Sequence, residues 1–369
     1  MAFKRGRSGD DDLHRGLLVH HPLRIIGITA LLALTVVGGF SATNLFQRNV
    51  AIVPGLEGCW RLDGSGLQIQ CLSNQFLNGA RDAAKGLSGS ARSDAVNAYV
   101  SRADKLAASD QRLGGVCHPA MHNLGRSEGL RAADAGHAPD FPSGSTQLCT
   151  AGYVHGLSEG YMSKSPNADV AAVFPVLCHD PAARTGCAHG MGHALLRAQT
   201  SAPAAAANAA ISRCGKLPDD YPTDCHNGVY MELAMRTEPA SIPVADYTRI
   251  CRVADREDDA TLGLACWGYL GLSVTSNNLT AAAEPKYCTQ ASTTGQFPCF
   301  EGYGRDIGPS KVANCGTDTP NGALAQRCID GAIGLQVGSG FVTKRKAVAY
   351  CGTLKGGELV AYCRTAVQR

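Results

Sequence analysis

The sequence predicts an all-α protein: a disulfide-stapled, solenoid-like array of short helical hairpins following one N-terminal transmembrane helix. Three observations carry this reading. Residues 25–40 hold no charge. All sixteen cysteines lie beyond Gly58. From Cys117 onward the cysteines fall into two interleaved series at the spacing of a helical-hairpin repeat.

The membrane segment comes first. Its apolar character continues to Phe46, and at a helical rise residues 24–46 span roughly 30 Å, about the thickness of a bilayer core. Lys4, Arg5, Arg7, Arg15 and Arg24 precede it, while the dozen residues after it offer only Arg48. The positive-inside rule therefore places residues 1–24 as a cytoplasmic head and 25–46 as a signal anchor. A cleaved signal peptide, cut near Gly39 and Ser41, is the alternative. Either way the rest of the chain is exported to the periplasm or the cell exterior, and the anchor makes the membrane itself a partner.

Composition fits that compartment. The even cysteine count favours pairing in an oxidising space. No paired C-x2-C knuckles suggest zinc fingers. Aromatic residues are only 6% of the chain, so its core is built from small side chains and gains from covalent ties. A net charge of +3, without a basic stripe, speaks against nucleic acid. The Gly-rich stretches lack a Walker lysine and a preceding strand, which speaks against nucleotide.

The repeat occupies 117–369. One cysteine series opens segments such as CTAGYVHGLSEG at Cys149, CAHGMGHALL at Cys187, CHNGVYMELA at Cys225, CFEGYGRDIG at Cys299 and CIDGAIGLQVG at Cys328, with Gly two or three residues on. From Cys117 the openings are separated by 32, 38, 38, 41, 33, 29 and 35 residues. The second series (Cys178, Cys214, Cys251, Cys288, Cys315, Cys351) ends short segments of helical character. A unit thus reads as opening Cys, helix A, loop, helix B, closing Cys. Pairing each closing Cys with the next opening Cys gives 178–187, 214–225, 251–266, 288–299, 315–328 and 351–363. Each such bond contributes about 3 kcal/mol by loop closure if unstrained. Cys59 pairs with Cys71 on the same logic, which leaves Cys117 for Cys149, although sequence alone does not fix connectivity.

This layout resembles the cysteine-bridged, Sel1-like relatives of the tetratricopeptide repeats, where a cysteine late in one hairpin bonds one early in the next. The resemblance implies scaffolding or ligand binding on a concave face, with a protein or peptide as partner. Residues 47–116 precede the repeat as a linker or capping region. Within it Val96, Tyr99, Val100, Ala103 and Leu106 mark an amphipathic helix.

The histidines carry the functional expectation. Eight of the eleven lie between His118 and His226, and none follows, although the repeat continues. His118 and His122, His155 and Glu159, and His189 and His193 are pairs four apart, which places each pair on one helix face. His155 and His193 both stand six residues after an opening Cys, so stacking of equivalent positions brings the pairs to one side. His226 and Glu232 are the remaining candidates. Imidazole and carboxylate suit a transition metal such as iron, copper or zinc, and point to an oxidoreductase or hydroxylase. The alternative is a non-catalytic scaffold holding a protein or peptide at the membrane surface. His137 and His179 read as surface residues, and Glu301 with Arg305 as an ion pair on an exposed helix face.

Overall fold

The computed structural model describes residues 56–62, 65–142, 148–218, 220–235, 244–255, 260–272, 285–338 and 342–369. All belong to the unit Phe46–Arg369. The cytoplasmic head and the anchor at 25–46 lie outside the described residues. Among the described residues no helix is long and apolar enough to cross a membrane, and there is no strand.

The first helices are α1 (Leu56–Trp60), α2 (Ser65–Ala83), α3 (Gly89–Ser109), α4 (Gln111–Asp134) and α5 (Leu148–Ser163). There follow α6 (Val170–Leu177), α7 (Arg184–Arg197), α8 (Pro203–Cys214), α9 (Tyr221–Met235), α10 (Val244–Ala254) and α11 (Ala260–Leu272). The chain continues through α12 (Pro285–Cys288), α13 (Thr293–Ile307), a 3-10 turn at Pro309–Lys311, α14 (Asn314–Asp318), α15 (Gly322–Gly338), α16 (Lys344–Cys351) and α17 (Gly357–Gln368). Each long helix that carries an opening cysteine packs on the next of its kind, from α4 through α5, α7, α9, α11, α13 and α15 to α17. Shorter helices such as α6, α8, α10 and α16 return the chain between them.

Glycine sets how closely these A helices approach. The Gly three residues after an opening Cys sits against a carbonyl of the preceding A helix. Cβ atoms added at Gly152, Gly156 and Gly160 of α5 would strike the carbonyls of His118, His122 and Arg126 on α4. In return, Cβ atoms at Gly125 and Gly129 of α4 would strike Tyr153 and Leu157 of α5. The contacts ascend both helices together, so α4 and α5 run parallel. Gly190 meets the His155 carbonyl, Gly228 that of His189 and Gly331 that of Glu301 in the same manner. A missing side chain lets backbones touch, with Cα–H groups directed at carbonyls, and this outweighs the poor helix propensity of Gly.

All eight disulfides join the expected partners, with Cα atoms 5.1 to 5.7 Å apart. No free cysteine remains. Two details differ from the sequence reading. Opening cysteines stand inside their helices: α7 starts at Arg184, ahead of Cys187, and α13 at Thr293, ahead of Cys299. In α13 the residues ahead of Cys299 complete a first turn capped by Ser292, which accepts from the Gly295 amide. The Cys117–Cys149 bridge joins two adjacent A helices directly, since no helix B lies between α4 and α5 among the described residues.

The boundary expected at Cys117 falls within α4. Helices α1 to α3 share a core with α4 and α5, in which Phe76, Val96, Tyr99, Val100 and Met121 are buried. The amphipathic helix is α3, and its five marked residues are all buried. It therefore packs on the array as a cap. Asp104 of α3 accepts from the Cys149 and Thr150 amides at 2.8 and 3.2 Å, capping the start of α5 from a neighbouring helix.

Candidate metal centre

Because the A helices are parallel and close, side chains spaced four apart on α4, α5 and α7 merge into one cluster. The His118 and His155 rings are 5.1 Å apart, His155 and His189 4.4 Å, His122 and His193 5.3 Å, and His189 and His193 5.0 Å. Five imidazoles thus pack together with Glu159, whose carboxylate is fully buried. One ligand atom from each of His122, Glu159 and His193 falls within 4.8 Å of the others. His122 Nε2 is 3.3 Å from Glu159 Oε2. That separation matches two ligands on one ion with bonds of about 2.1 Å.

The outer contacts fix how these groups are presented. Glu232 of α9 lies 3.0 Å from His193 Nδ1. A carboxylate only accepts, so Nδ1 carries the proton and Nε2 is the nitrogen left to bind a metal. Nε2 of His193 is buried without a hydrogen-bond partner, as are Nε2 of His189 and Nδ1 of His155. Glu159 Oε1 faces Arg126 Nε at 3.1 Å and Arg197 at 2.9 Å. Neither Glu159 oxygen receives a well-directed hydrogen bond. Arg197 also donates to Glu232 at 2.7 Å.

Burial, followed by the neighbouring His193, His118, Arg197 and Arg126, holds the His122 imidazole down to about 2. Burial and the surrounding imidazoles also hold His155 and His189 far below the usual histidine range. These rings are neutral, the form that binds metal. Burial pushes the Glu159 carboxyl up, against the pull of Arg197, His193 and Arg126. Burial pushes Glu232 up as well, but hydrogen bonds from His193 and Arg197 outweigh it and the net direction is down.

Of the eight residues expected from sequence, six converge: His118, His122, His155, Glu159, His189 and His193. Glu232 stands behind His193 as its hydrogen-bond acceptor, which places it outside the ligand triad. His226 departs from the expectation, because its Nε2 donates to the Ile211 carbonyl of α8 at 3.0 Å and is directed to that helix. His137 and His179 are exposed, as expected. Arg126 and Arg197 were not expected. Their signal is in the sequence nonetheless, since each extends a stripe by four, as His118, His122, Arg126 and His189, His193, Arg197.

Comparisons with protein-family models, with curated proteins and with solved structures find no match to this chain. Fold and site together define a disulfide-stapled protein, all-helical among the described residues, with a His/Glu cluster flanked by two arginines where three parallel helices meet.

Proposed function

We propose that this chain is a membrane-anchored, extracytoplasmic helical-repeat metalloprotein in which His122, Glu159 and His193 hold one transition-metal ion. The observation that carries the reading is His193. Glu232 fixes its tautomer, the remaining nitrogen is buried and partnerless, and a ligand atom of this ring lies within 4.8 Å of a carboxylate and a second imidazole. An acceptor behind a ligating histidine is the usual support of a metal site. Two histidines and one carboxylate leave coordination positions open, a set suited to iron and to oxygen chemistry, which makes an oxidoreductase or hydroxylase the activity class. Copper and zinc suit the same donors. Sixteen paired cysteines and the uncharged segment at 25–40 support export and anchoring.

Elemental mass spectrometry of the full chain, purified without a His tag, tests this. About one equivalent of a transition metal is expected after reconstitution, lost in Glu159→Gln and in His193→Ala while both variants retain wild-type helicity. Absence of metal from folded wild-type protein after reconstitution refutes the reading. A second reading has its own observation: Arg126 and Arg197 both face Glu159, so the carboxylate serves as their counterion. The chain is then a binding scaffold for a protein or peptide at the membrane surface, and Glu159→Gln lowers stability with no metal to lose.

A further inference from the structure

We infer that the metal-loaded centre takes a small carboxylate anion as co-ligand, held by the Arg126 guanidinium beside an open metal position; this rests on the metal reading above. Glu159 and Glu232 supply two negative charges, and Arg126 and Arg197 supply two positive ones. These four side chains balance one another, and a divalent ion adds two positive charges that none of them offsets, in a largely buried site. Desolvated charge of that size demands a counterion.

Geometry says where the counterion enters. The two oxygens of Glu159 face different ways: Oε2 toward His122 Nε2, and Oε1 toward both guanidiniums. A metal at the first position draws the carboxylate from the second. Arg197 keeps Glu232 as its partner at 2.7 Å. Arg126 does not: its ion pair is with Glu159, and its Nε is buried without a directed hydrogen bond. The Arg126 side chain is also 42% exposed, against 16% for His122 and 0% for Glu159. An anion arriving from solvent therefore meets Arg126 first, with the metal behind it. The planar fork of a guanidinium matches a carboxylate at two points.

The test uses Co(II) as both metal and reporter. Full-length wild type and Arg126→Gln are loaded with Co(II), and acetate is titrated while the visible d–d bands are followed. Metal-free protein is titrated in parallel by calorimetry. Both proteins are expected to take up one equivalent of Co(II), and the variant binds it at least as tightly because a cation has left the site. Acetate should shift the wild-type bands, need at least about tenfold more anion in the variant, and give no heat with metal-free protein. Equal midpoints in the two proteins, acetate binding to metal-free protein, or bands that do not respond would overturn the anion site and leave the metal site intact. No Co(II) uptake by folded wild type removes both.

Discussion

Gly156→Ala is a substitution on which local and tertiary physics give opposite signs. In an isolated helix, Ala in place of Gly stabilises by about 1 kcal/mol. In the folded chain the added Cβ would collide with the His122 carbonyl oxygen and lie 2.6 Å from the Arg126 amide nitrogen and 2.9 Å from the His122 carbonyl carbon. All three atoms are backbone, so no side chain can rotate aside. Helices α4 and α5 must part by roughly an ångström, and a gap of that size forfeits about a quarter to a half of each dispersion contact. The loss spreads along the seam, because Gly152, Gly160, Gly125 and Gly129 make the same kind of contact. Overpacking of this sort costs about 1–3 kcal/mol or more, which against the helix gain leaves a net loss of about 1 kcal/mol or more. Gly334→Ala in α15 is the control, since Gly334 is exposed and a Cβ there meets nothing within 4 Å. It should gain about 0.5–1 kcal/mol. Urea midpoints of the oxidised proteins should move in opposite directions. A Gly156→Ala protein as stable as wild type would show that the seam does not determine helix spacing.

Two more predictions concern the bonds between helices. Replacing both Cys178 and Cys187 by Ala opens a link with a sequence separation of 9, and replacing Cys117 and Cys149 opens one of 32. Loop-closure entropy predicts losses of about 2.6 and 3.7 kcal/mol; urea unfolding that shows the shorter link as the costlier would contradict the entropic account. Glu128 is held by Arg92 at 2.7 Å and by Arg131. Burial pushes its carboxyl up, but the hydrogen bonds from Arg92 and Arg131 prevail and the net direction is down from 4.5. A depressed carboxyl stabilises the fold above its unfolded value, and the gain is lost as pH falls below it. Glu128→Gln should therefore cost about 1–2 kcal/mol at pH 7 and progressively less below about pH 4.5. A difference from wild type that stays constant down to pH 3 would refute that coupling.

Much of the fold was legible because cysteine and glycine are punctuation with strict geometry. An opening Cys followed three residues later by Gly marks both the bridge and the seam, and both appear where the spacing placed them. Helix starts were less legible, since the turn ahead of each opening Cys carries no distinctive pattern. The six clustered candidates were found because spacing by four survives stacking of parallel helices. His226 was grouped with Glu232, six residues on, a spacing that does not share one helix face; its Nε2 turns to Ile211. Arg126 and Arg197 escaped notice because arginine on a helix is ordinarily a solvated residue. Only the buried carboxylate opposite them, itself placed by the fold, gives them a role.

The C-terminal half shows what the repeat itself requires at these positions. Glu301 and Arg305 stand two and six residues after Cys299, the offsets of His189 and His193 from Cys187. There the pair forms an i,i+4 ion pair with side chains 31% and 36% exposed. The neighbouring glycine, Gly331, seats on the Glu301 carbonyl just as Gly228 seats on that of His189. Backbone packing is therefore the same with a half-exposed ion pair as with imidazoles. Stacking alone gives no reason to desolvate histidines between α4, α5 and α7, or to leave the Nε2 atoms of His189 and His193 without hydrogen bonds. An unmet buried polar atom costs about 1–3 kcal/mol. Those atoms are where a further interaction can return the most free energy, and the donor set around His193 is one that a metal ion would complete.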